Sequence, residues 1–183
     1  AQPDPVTAAA RFDAWLGALA SPGSIAQHIQ SEPQSAALLI RCLGHSSHIS
    51  RILVQNSEYG MILLDPGEVA SPITRERLER SGRSQMAQAV SYTHRLDRIR
   101  CLKQEALVRI AALEYAGAST AEDVWIQLSA TADACLTLAH EACWEDYCFS
   151  RGIELAPKMA VVGMGKLGGS ELNTSSDVDL VFL

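Results

Sequence analysis

Two aspartates one residue apart, Asp177 and Asp179, follow a glycine-rich run, Gly163-Met164-Gly165-Lys166-Leu167-Gly168-Gly169. On a β-strand alternate side chains share a face, so a strand here holds both carboxylates on one side, roughly 6–7 Å apart. Val178, Leu180 and Phe182 then point the other way and can anchor the strand in a core. Paired carboxylates on a rigid edge are hard oxygen donors suited to Mg²⁺ or Mn²⁺; Mg²⁺ keeps waters or substrate phosphates in the rest of its shell. Gly163, Gly165, Gly168 and Gly169 permit backbone conformations closed to other residues and let N–H groups approach phosphate oxygens. Lys166 adds a positive charge to that loop, and Ser176 stands directly before the first aspartate. The expected site therefore places Asp177 and Asp179 on metal and in catalysis, with Gly165, Lys166, Gly168, Gly169 and Ser176 on the phosphates.

A bare D-x-D reads equally well as a polar strand end; its spacing behind the glycine loop is what gives it meaning. The run also fits G-x-G-x-x-G after a strand, the fingerprint of a dinucleotide fold. Against that, the segment after Gly168 is polar and too short for a βαβ helix, and the next strand brings two acids. A Walker loop is excluded, because Lys166 has the wrong glycine spacing and no Ser or Thr follows it.

These residues need a scaffold, and the chain supplies it in two regimes. Residues 1–152 read as helix after helix; residues 153–183 read as strand, glycine loop and strand. Pro5 suits a helix start, and Phe12, Trp15, Leu16 and Leu19 share a face of a helix that Ser21-Pro22-Gly23 ends. Shorter helical patterns fall near Ser35–Leu43 and Ser47–Gln55. Asp65-Pro66-Gly67 and Ser71-Pro72 read as turns, and 73–81 as an arginine-rich helix. Residues 84–115 carry one stripe, as one long helix or two in tandem, closed by Ala116-Gly117. Thr120 and Asp123 resemble a capping box opening a helix that runs to Arg151-Gly152. These long neighbours should pack antiparallel. Met159–Val162 reads as the first strand, Gly163–Ser176 as loop and Val178–Leu183 as the second strand. The fold class is thus mainly α, with a bundle-like helical region, followed by the first strands of an α/β domain.

Of the 183 residues, 48% are hydrophobic and 20% charged, which is globular composition. A net charge of −6 offers no nucleic-acid footprint. No apolar run is long enough to span a membrane. Arg75, Arg77, Arg80 and Arg83, with Arg95, Arg98 and Arg100, read as solvated helix faces, with docking to an acidic partner as the alternative. The five cysteines include no CxxC pair, and most sit among apolar residues, which points to a reducing, cytosolic compartment. His45 with His48, and His140 with Cys143 and Cys148, are better read as surface or packing residues than as metal ligands. Trp15, Trp125 and Trp144 read as packing residues. Ala1 in place of Met and the apolar ending Val181-Phe182-Leu183 predict a piece of a longer protein.

The run from Val162 to Phe182 resembles the glutamine synthetase adenylyltransferase/adenylyl-removing enzymes, a family of DNA polymerase β-like nucleotidyltransferases. The resemblance is sharp over roughly the last 25 residues and diffuse before them. Gly165-Lys166 stands where the superfamily has Gly-Ser, so the phosphate role of Lys166 is inferred only. Met164, Asn173 and the length of the helical lead-in resemble the N-terminal unit, which removes AMP from a tyrosine of glutamine synthetase by phosphorolysis and releases ADP. The second unit of such enzymes adds AMP from ATP and is the alternative. The resemblance implies Mg²⁺ or Mn²⁺ as cofactor, and glutamine synthetase, the PII nitrogen-signal protein, ATP/ADP and phosphate as partners. It also implies a third carboxylate on a later strand, beyond Leu183. A helical interaction module with a vestigial strand pair is the non-enzymatic alternative.

Overall fold

The computed structural model describes residues 4–31, 33–71, 73–154 and 159–183. In chain order the elements are α1 (Pro5–Gly17), α2 (Pro22–Ser31), α3 (Pro33–His45), α4 (Ser47–Gln55), α5 (Tyr59–Ile62) and α6 (Pro66–Ala70). They continue as α7 (Arg75–Ala87), α8 (Tyr92–Tyr115), α9 (Ala121–Arg151), β1 (Val161–Met164), α10 (Gly165–Gly168) and β2 (Asp179–Phe182). The chain divides into two compact units, Ala1–Pro72 with Leu107–Thr120, and Ile73–Ala106 with Ala121–Leu183. The change of composition at Gly152 falls inside the second.

In the first unit, Asp4 caps α1 by accepting from the Val6 and Thr7 N–H groups, and Pro5 occupies the first turn, where its missing N–H costs nothing. Trp15 is fully buried and donates its indole N–H to the Ser57 carbonyl at 3.0 Å. The chain crosses its ring at Gly60, where a Cβ would meet ring atoms at 2.4–2.6 Å. Leu39, Cys42, Leu43 and Leu53 complete this core with Val108, Ala111 and Ala112 from the last turns of α8. Arg109, nearly buried, donates to the carbonyls of Glu68 and Ser71.

Several expectations are corrected here. Pro22 opens α2 instead of only ending α1. Asp65-Pro66-Gly67 is a helix start, since Asp65 accepts from the Gly67 and Glu68 N–H groups and so caps α6. The arginine-rich helix runs on to Ala87, and the long stripe breaks at 88–91, where the Ser91 hydroxyl accepts from the His94 N–H. α8 and α9 each end at the glycine expected there. Gly117 and Gly152 have φ of +71° and +62°. The Ala118 and Ile153 N–H groups return to the Leu113 and Cys148 carbonyls, six residues spanned in each case.

In the second unit α7 lies against α9 at Gly82, where a Cβ would fall 2.3 Å from Leu138. Arg75 donates to Thr137 and Arg83 to Glu141, so the two helices run in the same direction. Arg75 and Arg83 also pair with Glu79. Part of the arginine cluster thus ties α7 to α9, while Arg77 and Arg80 are exposed. α8 meets α9 in the antiparallel sense expected: Tyr92 reaches Cys143 and Leu102 joins Leu138. Trp125 is 41% exposed and not a packing residue; Cys143 is exposed too.

Candidate functional site

β1 and β2 are antiparallel, with Val161 opposite Phe182, Val162 opposite Val181, Gly163 opposite Leu180 and Met164 opposite Asp179. Ala160 and Leu183 extend the ladder with reciprocal 2.9 Å bonds. Gly163 and Met164 are therefore strand, not loop. Directly opposed residues share a face. Val161, Gly163, Leu180 and Phe182 lie on one side; Val162, Met164, Asp179 and Val181 lie on the other. Val161 and Gly163 line a cavity of about 220 Å³ with Arg75, Asp133, Thr137 and His140. Asp179 is on the opposite, outward face.

The turn between the strands is built by close approach. Leu167 is buried and folds back across β1, and a Cβ on Gly163 would meet its Cγ at 2.9 Å. A Cβ on Gly168 would stand 2.7 Å from the Gly163 carbonyl oxygen. Gly165 has φ of +56°, a left-handed conformation that favours glycine, and its absent Cβ would lie 3.3 Å from Asp179 Oδ2. The loop backbone and the Asp179 carboxylate are thereby neighbours. Lys166 is exposed and forms no ion pair among the described residues. The Gly169 N–H is occupied, donating to the Gly165 carbonyl at 3.1 Å.

The chain then descends to α9 and returns. Leu172, 5% exposed, donates its N–H to the Ser129 hydroxyl at 3.2 Å. Asn173 Oδ1 accepts from the Ser175 N–H and the Ser176 hydroxyl, and the Asn173 N–H donates to Ser176 Oγ, each at 3.0 Å. Ser176 is thus engaged in the turn that delivers the aspartates. Asp177 lies outside the ladder, which starts at Asp179; β1 offers it no partner, because the chain bends into α10 at Gly165. The strand placement expected for Asp177 is corrected accordingly. Val178 and Phe182 are exposed, and of the three residues expected to anchor the strand only Leu180 is half-buried.

The sequence singled out both aspartates and the glycine run, and the structure brings Gly165 and Asp179 together. It did not single out Ser129 or Leu172; the one signal was a hydroxyl next to the apolar stripe of α9. The dinucleotide reading is contradicted by the antiparallel pairing and the four-residue α10, where that fold needs a parallel crossover through a full helix. His45 stacks on Tyr115 with ring centres 4.9 Å apart. His140 stacks on Trp144 at 6.3 Å. No helix among the described residues is long and apolar enough to cross a membrane.

Residues 36–183 match the family model of glutamate–ammonia ligase adenylyltransferase. Among curated proteins, the chain is 26% identical over 180 residues to a bifunctional glutamine synthetase adenylyltransferase/adenylyl-removing enzyme of Bradyrhizobium diazoefficiens, covering 98% of this chain and 18% of that one. It is 32% identical over 165 residues to its namesake in Nitrosomonas eutropha, covering 84% and 17%. With that of Brucella suis the identity is 30% over 173 residues, covering 94% and 18%. The chain spans less than a fifth of the length of these relatives, yet the family model covers most of it. The chain belongs to the glutamate–ammonia ligase adenylyltransferase family.

Proposed function

We propose that this chain is part of a metal-dependent nucleotidyltransferase that removes AMP from a tyrosine of glutamine synthetase by phosphorolysis. The observation that carries the reading is the placement of the Asp179 carboxylate against the left-handed Gly165 backbone, an arrangement that suits a metal donor beside a phosphate-binding loop. The substrate protein is taken from the relatives, which are named for their action on glutamine synthetase.

The donor set fits Mg²⁺ or Mn²⁺. Asp177 and Asp179 are exposed, offer oxygen only, and pair with no cation among the described residues. When bound, the ion neutralises phosphate charge at the reacting centre. Asp177 and Asp179 would hold it, together with the third carboxylate that the resemblance implies on a later strand. Gly165 and Lys166 receive the phosphate oxygens; Gly168 and Gly169 shape the turn that presents them, and Ser176 holds the loop ahead of Asp177. An oxygen of inorganic phosphate attacks the AMP phosphorus, the bond to the tyrosine oxygen breaks, the tyrosine regains its proton, and ADP leaves. Phosphoryl chemistry of this kind needs positioning and charge neutralisation and no protein nucleophile. ATP/ADP, phosphate, glutamine synthetase and the PII nitrogen-signal protein are the partners of this reading, in the cytosol.

The test uses the full-length protein with adenylylated glutamine synthetase, Mg²⁺ and phosphate. Phosphate-dependent ADP release, abolished by Asp177→Asn or Asp179→Asn with the fold intact, is the expected result. Wild-type turnover in either variant would overturn the site. AMP release by water, or AMP addition from ATP, would overturn the phosphorolytic assignment.

A further inference from the structure

Resting on that reading, we propose that Ser129 is a positioning residue for the metal-binding carboxylates. Residues 169–178 form a mostly exposed loop between α10 and β2 with one buried member, Leu172. Its N–H is held by the Ser129 hydroxyl, itself 2% exposed and 43 residues away in sequence. Ser129 belongs to α9, a 31-residue helix tied to α7 by the Arg75 and Arg83 bonds and by the Gly82–Leu138 contact. The loop is thus referenced to the longest helix of the unit through a buried hydroxyl and the buried Leu172 beside it.

From Leu172 the reference is carried outward without slack. The next residue, Asn173, closes a turn on Ser175 and Ser176 through three 3.0 Å bonds, and Asp177 follows at once. On the other side, the Glu171 N–H donates to the Lys166 carbonyl at 2.8 Å, joining the same anchor to the phosphate-facing turn. Asp177 has no ladder partner and no ion pair among the described residues, so the Leu172 anchor and the Asn173 turn locate it from one side and the ladder at Asp179 from the other. Removing the Ser129 oxygen leaves a buried N–H without an acceptor, and the loop relieves that by lifting Leu172 toward water. The carboxylates then sample many separations, and an ion needing both loses affinity.

The experiment titrates Mn²⁺ into the full-length protein by electron paramagnetic resonance, alongside ADP-release kinetics and thermal unfolding. Ser129→Ala is expected to weaken Mn²⁺ binding by about tenfold, the loss of one buried hydrogen bond. kcat should fall while KM for adenylylated glutamine synthetase holds. Ser129→Thr, which retains the hydroxyl, should recover the affinity. If Ser129→Ala fails to fold, Ser129→Cys, near in size and a poor acceptor, takes its place. Wild-type Mn²⁺ affinity in the Ala or Cys variant, or equal weakening in the Thr variant, overturns the positioning role. Asp179→Asn separates the two readings: its loss of Mn²⁺ binding supports the site whatever Ser129 does, whereas undiminished binding brings down the site and this inference with it.

Discussion

Gly168 and Gly169 are adjacent and chemically alike, yet alanine should affect them differently. A Cβ on Gly168 would stand 2.7 Å from the Gly163 carbonyl oxygen; on Gly169 the nearest atoms are 3.6 Å away, an ordinary contact. Neither glycine has positive φ, so backbone strain does not separate them. Alanine in place of glycine also stabilises by restricting the unfolded chain, about 0.4–1 kcal/mol, and this applies to both variants. The difference between them therefore isolates the steric term. The atom struck belongs to strand backbone and cannot rotate away, so overpacking of about 1–3 kcal/mol is expected. Hydrogen–deuterium exchange along β1 and β2 reads the local opening of this sheet. Gly168→Ala should exchange those amides about five- to 150-fold faster than Gly169→Ala. Equal exchange in the two variants would refute the argument that α10 docks on β1 through a bare Cα.

Gly60→Ala drives a Cβ into the Trp15 ring and should cost about 1–3 kcal/mol, read as a lower thermal midpoint by circular dichroism. Arg109→Met removes the donor to the Glu68 and Ser71 carbonyls and should destabilise by about 1–3 kcal/mol in denaturant titration; an unchanged midpoint would show that water replaces it without penalty. Burial pushes the Cys42 thiol up to about 12 from an ordinary 9.0. Its folded state resists ionisation, so the stability it confers is whole below pH 9 and lost as pH rises from 9 toward 12. In a native thiol titration at pH 8, exposed Cys143 should react first and Cys42 only on unfolding.

Where a local device and the apolar pattern agree, the sequence is legible to the residue. Ser46 accepts from the Ile49 N–H and opens α4 where it was expected, at Ser47. Gly117 and Gly152 end their helices by the conformation only glycine takes easily. Pro22 and Asp65-Pro66 misled because the same residues serve a turn or a first helical turn, and packing decides between them. The stripe through 84–115 hid the break at 88–91, since apolar periodicity continues on both sides of it. At the site, the residue types singled out Gly165 and Asp179, and the structure makes the two neighbours. What remained hidden was tertiary: that Asp177 stands outside the ladder, and that its loop hangs from Ser129, 43 residues upstream of Leu172.

The first unit is discontinuous, and this has a bearing on biosynthesis. Val108, Ala111 and Ala112 belong to the core around Trp15, Leu39 and Leu53, yet residues 73–106 are made before them. A chain emerging amino-terminus first carries that apolar surface uncovered while most of α7 and α8 is translated. Exposed surface of this kind invites aggregation and chaperone engagement. A truncation at residue 72 would leave the nascent core permanently short of one wall.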